Sequence, residues 1–191
     1  MVLWGVCASM LTSAVTAHSQ DDAEAVFKLG LVEYGLEKYV SARIDFRTLI
    51  NAYPYSSRAV EAYVMLAKTL YRLNAFAEAD SVSAKLRTTF PHSRYVEWTF
   101  YLQAACEYRT FNTDAALTSL ARLAGSTLDS TLKANSLKAL RYAIQPICPP
   151  ERFAGALQRF KIDPFALDST QPYKESLPPP ADRAFHQQAA Q

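Results

Sequence analysis

The sequence predicts an all-α protein: a right-handed α-solenoid of antiparallel helix pairs, followed by a short carboxy-terminal helix and a disordered tail. Small, aromatic and proline positions within residues 25–91 recur at a fixed offset of 37 residues. Such an offset is typical of stacked repeats, because each unit buries its apolar face only against its neighbours. Apolar residues spaced by three and four indicate two amphipathic helices in each unit. We therefore expect about three and a half repeats over residues 21–144.

The first repeat contains both helices. Asp21 and Asp22 are expected to cap the first one, because carboxylates suit the free N–H groups and the positive end of the helix dipole. An apolar stripe on one side of this helix then consists of Val26, Leu29, Val32 and Leu36. After a polar turn, the second helix carries Tyr39, Ala42, Phe46, Leu49 and Ile50. It ends before Pro54, because the residue before a proline disfavours helical geometry.

The second repeat matches the first position by position. Leu29, Gly30, Tyr34, Tyr39, Ala42 and Pro54 recur as Leu66, Ala67, Tyr71, Phe76, Ala79 and Pro91, each 37 residues later. The small residues among these positions let the two helices approach closely. A larger side chain there would overpack the contact at a cost of about 1 to 3 kcal/mol.

The third repeat is less regular. It keeps the register through Phe100, Ala104, Tyr108, Ala116, Leu120 and Leu123. Gln103 and Thr113 depart from the register, and no proline closes the unit. A further helix over residues 128–144 is predicted as a final half-repeat or a cap, since terminal repeats need a polar outer face.

Residues 145–191 form a proline-rich tail, with eight of the ten prolines of the chain. Most of it cannot form regular structure, because proline lacks the backbone N–H. The exception is a short helix predicted at 151–160, with Phe153, Leu157 and Phe160 at helical spacing. We expect this helix to dock on the last repeat and the chain to be extended from about Ile162 onward.

Residues 1–17 are predicted to be an export signal. An uncharged apolar run ends in small residues at the positions that a signal peptidase reads. The alternatives are an uncleaved anchor and a buried helix. Lipid attachment at Cys7 is not expected, because Trp4-Gly5-Val6 precedes it where small and Leu-like residues are required. The protein is therefore expected to be periplasmic or secreted, and peripheral to an outer membrane at most.

These repeats resemble the tetratricopeptide repeat family, whose pattern is present in register at Val26, Leu29, Gly30, Tyr39, Ala42, Phe46 and Pro54. The 37-residue period and the turns Tyr-Pro-Tyr-Ser-Ser at 53–57 and Phe-Pro-His-Ser-Arg at 90–94 are similar to outer-membrane assembly lipoproteins of the BamD type. They are also similar to periplasmic proteins associated with the Tol-Pal system. In those families the turn serine caps the next helix, a role that Ser56 or Ser57 and Ser93 fit.

The resemblance implies a concave groove lined by the first helix of each repeat. The residues that it assigns to partner binding in this groove are Tyr34, Lys68, Tyr71, Arg72, Trp98, Tyr101, Tyr108 and Arg109. Aromatic and Arg side chains are the usual anchors of binding hot spots. An extended peptide with apolar or acidic side chains is the expected ligand. The competing interpretation is that the tyrosines pack between helices and the cations are merely solvated.

Composition and motifs argue against other functions. A net charge of +2 without a concentrated basic face does not indicate nucleic-acid binding. No metal-ligand spacing or catalytic constellation occurs, so no cofactor and no enzymatic activity are expected. Cys106 and Cys148 either pair in an oxidising compartment or remain buried thiols.

Two functions follow from the sequence. The first is a non-enzymatic scaffold of the bacterial cell envelope that binds peptide segments of partner proteins, with a role in outer-membrane protein assembly. The second is a structural docking or dimerisation module, or the amino-terminal part of a longer envelope protein, with no ligand of its own. The second would use the third repeat and the helix at 151–160 to meet another copy, and the sequence leaves the oligomeric state open.

Overall fold

The computed structural model describes the backbone of residues 4–168 and the side chains of residues 20–167. Within this part the chain is helical and contains no strand, as predicted. The helices are α1 (Trp4–Gly35), α2 (Tyr39–Ala52), α3 (Ala59–Arg72), α4 (Phe76–Thr89), α5 (Val96–Arg109), α6 (Thr113–Ser126), α7 (Ser130–Ala139), α8 (Pro150–Arg159) and α9 (Pro164–Asp168). A π-helical turn, Leu140–Ile144, continues α7.

The helices form successive antiparallel pairs, which confirms the predicted solenoid. Each of α1 to α6 packs against the next helix in sequence. Contacts also join α1 to α3, α3 to α5 and α5 to α7. The first helices of the repeats therefore lie side by side in one layer, which we call the inner layer.

The turn inside each repeat has the same backbone geometry. Glu37, Asn74 and Phe111 have positive φ angles of 59°, 58° and 61° and are spaced by 37 residues. Their N–H groups donate to the carbonyls of Tyr34, Tyr71 and Tyr108, each at 3.0 Å. The third repeat thus keeps the backbone of the other two even where its side chains differ, although asparagine alone among the three tolerates this conformation well.

The predicted aspartate caps are wrong. Helix α1 runs from Trp4 to Gly35, so Asp21 and Asp22 lie inside it and not at its amino end. A helix does follow residue 21, as predicted, but it begins earlier, at Trp4.

The predicted serine caps are also wrong. The residues that precede α3 and α5 are Arg58 and Tyr95, and neither has a capping side chain. Ser93 acts differently: its Oγ accepts from the N–H of Tyr95 at 3.2 Å, and its carbonyl accepts from Val96. A turn of backbone lies between Ser93 and the start of α5 at Val96, so the serine is too far from the helix to cap it.

The apolar stripe of the first helix lies half in solvent. The exposed fractions of Leu29, Val32 and Leu36 are 53%, 51% and 61%, whereas the equivalent residues of the second repeat, Leu66 and Thr69, are 3% and 0% exposed. The first repeat covers this face of the second, and no described segment covers it on α1. Helix α1 buries its adjacent face instead, through Ala23, Phe27, Gly30, Leu31 and Tyr34.

The carboxy-terminal helices complete a second apolar cluster. Phe153 and Leu157 of α8 are buried in it, and α8 packs against α6, so the predicted docking of this helix on the last repeat is confirmed. The prediction of an extended chain from Ile162 is wrong for residues 162–167. Ile162 and Leu167 are buried in the same cluster, and Nη1 of Arg141 donates to the Leu167 carbonyl at 2.7 Å.

Replacing Gly30 with Ala is expected to destabilise the protein. The new methyl group would lie 2.8 Å from Cε1 of Phe46, and such overpacking costs about 1 to 3 kcal/mol. The free energy of unfolding, measured by urea denaturation, should fall by this amount.

Gly155→Ala is the matched control. A Cβ atom at Gly155 meets nothing within 4 Å, and alanine favours a helix over glycine by about 1 kcal/mol. This variant should keep or gain stability. An equal loss in both variants would contradict the close-contact explanation.

Candidate partner-binding groove

All eight residues predicted for partner binding lie on the inner layer, on α1, α3 and α5. The structure divides them by exposure. More than nine-tenths of the surface is buried for Tyr34, Lys68, Tyr71, Trp98 and Tyr101. Tyr108 is half-buried, and Arg72 and Arg109 are exposed. Exposed cations therefore lie beside a largely buried aromatic layer.

Two of the three repeat tyrosines have a packing role. The Tyr34 ring meets Tyr39 edge-on with centroids 5.4 Å apart, and Tyr71 meets Phe76 in the same way at 5.5 Å. The third repeat has Thr113 at the position of Tyr39 and Phe76. Tyr108 therefore has no ring from this position to pack against, and it is the most exposed of the three tyrosines.

A cavity of about 290 Å³ opens where the third repeat meets the end of α7 and the π-helical turn that follows it. We call it the tyrosine cavity. Four tyrosines and four alanines dominate its lining, which consists of Tyr71, Tyr101, Ala104, Ala105, Tyr108, Leu120, Ala139, Tyr142, Ala143 and Ile144. The alanines leave space between the rings. The cavity thus combines apolar ring faces with phenol groups that can donate or accept hydrogen bonds.

The π-helical turn supplies one wall of the tyrosine cavity. The N–H of Gln145 donates to the carbonyl of Leu140 at 2.8 Å, five residues back. Three consecutive residues of this turn, Tyr142, Ala143 and Ile144, line the cavity. Single π turns inside α-helices are frequent at functional sites.

Sequence reasoning predicted three of the four cavity tyrosines and missed Tyr142. Continuing the 37-residue register from Tyr71 and Tyr108 leads to Gln145 and not to a tyrosine. Tyr142 lies three residues earlier, about one helical turn away. Tyr142 could have been predicted from the sequence only as an aromatic residue that lies one helical turn from the register position.

Arg109 is held at the edge of the aromatic layer. Its guanidinium carbon lies 6.0 Å from the ring centroid of Tyr71 and 5.6 Å from that of Phe76. Its Nη2 donates to Oδ1 of Asn74 at 3.1 Å. The guanidinium is thereby positioned over two rings beside the tyrosine cavity, at a distance suited to cation–π attraction.

Arg72 lies beside the first tyrosine. Burial raises the pKa of the Tyr34 hydroxyl, and the neighbouring Arg72 guanidinium opposes that rise. Both Arg72 and Arg109 occupy the last turn of their helices, where a cation also stabilises the negative end of the helix dipole. The helix dipole therefore accounts for the positions of these two arginines independently of any role in binding.

Lys68 does not offer an exposed ammonium group to the groove. It is 2% exposed, and its Nζ lies 5.9 Å from the ring centroid of Trp98, the outer limit of a cation–π contact. Burial, with a smaller effect of Arg72, lowers the pKa of Lys68 to about 6. The amine is therefore mostly neutral at pH 7.

Cys106 and Cys148 are free thiols in separate clusters. Cys106 lies in the amino-terminal core and Cys148 in the carboxy-terminal one. Burial raises the pKa of Cys106 to about 12 and also raises the pKa of Cys148. Since the thiolate is the reactive form, both side chains are poor nucleophiles at neutral pH. No group of three metal-ligating side chains occurs among the residues that the structure describes.

Lys68→Met is expected to stabilise the protein near neutral pH, with a gain that shrinks as the pH rises. The lysine pKa is about 6 in the folded state and 10.5 in a solvated chain. The unfolded chain thus binds more protons between these two values, so stability of the native protein rises with pH across this window. Methionine does not titrate, and urea denaturation at several pH values measures the difference.

Lys85→Met provides the control, because Lys85 is exposed on α4. Subtracting the Lys85→Met effect from the Lys68→Met effect at each pH isolates the contribution of burying the lysine. A Lys68→Met effect that does not change with pH would show that Lys68 keeps its charge in the fold.

The model of the family YfiO, described as an outer membrane lipoprotein, matches residues 19–144. This range contains the carboxy-terminal part of α1, helices α2 to α7 and the π-helical turn. No curated protein and no solved structure matched the chain. Among the residues that the structure describes, no helix has the length and apolarity required to cross a membrane.

Proposed function

Because the chain belongs to the YfiO family of outer membrane lipoproteins, we propose that it is a non-enzymatic scaffold of the bacterial cell envelope that binds extended segments of partner proteins. The tyrosine cavity is the observation that carries this proposal. Its phenol rings and the adjacent Arg109 are the residue types that dominate binding hot spots. The partners are proteins of outer-membrane assembly, and the binding domain lies on the periplasmic side.

The size of the tyrosine cavity favours a side chain over a cofactor. Its volume of about 290 Å³ lies just below the range of small-molecule sites, about 300 to 1,000 Å³. One or two large apolar side chains of a peptide fill such a space. The exposed guanidinium of Arg109 favours a carboxylate next to them, because opposite charges at an interface increase specificity and association rate.

A second candidate function is self-association, and the exposed apolar stripe supports it. This stripe continues from α1 onto α2 and consists of Leu29, Val32, Leu36, Val40 and Ile44, each more than half exposed. Self-association through the helix at 151–160, which was predicted from the sequence, has less support. Phe153 and Leu157 of that helix are buried within the chain's own fold.

The groove proposal can be tested by photo-crosslinking in the envelope. A photoreactive phenylalanine analogue at Tyr142 should crosslink to defined segments of envelope proteins. The same analogue at Thr118, which is exposed on α6 and does not line the cavity, is the control position. Adding the change Arg109→Gln should reduce the Tyr142 crosslinks by about tenfold, equivalent to about 1.4 kcal/mol.

Arg47→Gln is the matched charge control, because Arg47 is exposed on α2 and pairs with Glu78 at 3.0 Å. It should leave the crosslinks unchanged. Equal crosslinking from positions 142 and 118 would contradict the groove proposal. A concentration-dependent mass that Val32→Glu abolishes, without envelope crosslinks, would support self-association instead.

A further inference from the structure

We propose that the tyrosine cavity accepts an extended proline-rich segment, and that its occupant in the free protein is Leu177–Pro180 of this chain's own carboxy-terminal tail. The inference rests on the proposed function and deepens it. A tail segment in the cavity would compete with partner segments for the same site, so partner binding would require its displacement.

The chemistry of the cavity matches a polyproline helix. Pro178, Pro179 and Pro180 are consecutive, and proline-rich segments in general favour the extended left-handed helix, which has no internal hydrogen bonds. Aromatic-lined grooves recognise this conformation, because ring faces pack on the pyrrolidine rings and polar groups reach the free carbonyls. The cavity supplies four tyrosine rings with hydroxyl groups, and alanines leave space between them.

The described chain ends near the π-helical turn that forms one wall of this cavity. Helix α9 packs against α7, and Nη1 of Arg141 donates to the carbonyl of Leu167 at 2.7 Å. The guanidinium carbon of the same Arg141 lies 5.5 Å from the ring centroid of Tyr142, which lines the cavity. One side chain therefore links the start of the tail to the cavity wall.

The tail is long enough to reach the site. Leu177 is nine residues beyond Asp168, and nine extended residues span about 30 Å. Neighbouring helices lie about 8 to 10 Å apart, so this reach covers the distance from α7 to α5 and α3. Four residues of polyproline helix are about 12 Å long, which is comparable to one such spacing.

Tethering makes even a weak contact effective. A short linker gives an effective concentration of millimolar order. A segment with an intrinsic dissociation constant of about 100 µM would then occupy the site about nine-tenths of the time. The flanking charges cancel, because Lys174 and Glu175 precede the proline run and Asp182 and Arg183 follow it. Docking of the tail should therefore depend little on salt, unlike binding of an acidic partner segment.

Hydrogen exchange on the full-length chain tests the proposal. In a variant with Pro178→Ser, Pro179→Ser and Pro180→Ser, amides of α5 and of the π-helical turn should exchange about tenfold faster than in the native chain. Pro172→Ser is the matched control, since it alters the same tail outside the proline run, and it should leave exchange unchanged. Circular dichroism verifies that all variants keep their helices.

A synthetic peptide of residues 174–183, added to the triple-serine variant, should restore the protection, and a peptide with the three prolines replaced by serine should not. Tyr142→Ala in that variant should abolish the effect of the native peptide. Unchanged exchange in the triple variant would overturn the proposal. Protection that rises with protein concentration would also overturn it, because the occupant would then be the tail of a second copy.

The outcome for the tail can be separated from the outcome for the proposed function. If exchange is unaffected but envelope crosslinks at Tyr142 persist, the tail is not the occupant and the scaffold function stands. If the tail peptide binds and no envelope protein is crosslinked even in the triple variant, the cavity serves the tail alone and the scaffold function fails.

Discussion

The close contact between the two helices of a repeat is the constraint on which the rest of the structure depends. A Cβ atom at Gly30 would lie 2.8 Å from the Phe46 ring, so the helices of the first repeat meet at a distance that only glycine permits. The same principle operates at the other end, where a Cβ at Gly125 would lie 2.4 Å from the carbonyl oxygen of Phe160. Close approach maximises buried apolar area per residue, and in a stack each repeat has only its neighbours to bury against.

The exposure of the apolar stripe follows from this one-dimensional arrangement. The residue type at position 29 matches that at position 66, yet Leu29 is half exposed and Leu66 is buried. The sequence encodes a face that needs a preceding layer, and among the side chains that the structure describes the stack provides that layer only from the second repeat onward. In a solenoid, the buried fraction of a residue therefore depends on which repeat it belongs to as well as on its position within that repeat.

The repeat register predicted the helix pairs, the turn positions and three of the cavity tyrosines, because these features depend on local periodicity. The missed features depend on contacts between distant segments. Lys68 resembles a solvated groove cation in sequence, but it is 2% exposed because Trp98, one repeat later, lies beside its amine. Likewise, residues 162–167 are held by burial in the carboxy-terminal cluster and by a hydrogen bond from Arg141. The π turn that brings Tyr142 to the cavity breaks the helical periodicity on which sequence patterns rely.

Irregularity of the third repeat is what turns a packing position into the wall of a cavity. In the first two repeats an aromatic residue of the second helix packs edge-on against the tyrosine, and the tyrosine serves stability. In the third repeat Thr113 stands at that position, so the Tyr108 ring lacks this contact and lines the cavity together with Tyr71, which retains its own partner. A regular fourth repeat would bury this surface. The half-repeat that follows covers it only in part, and the resulting cavity keeps the aromatic character of the repeat.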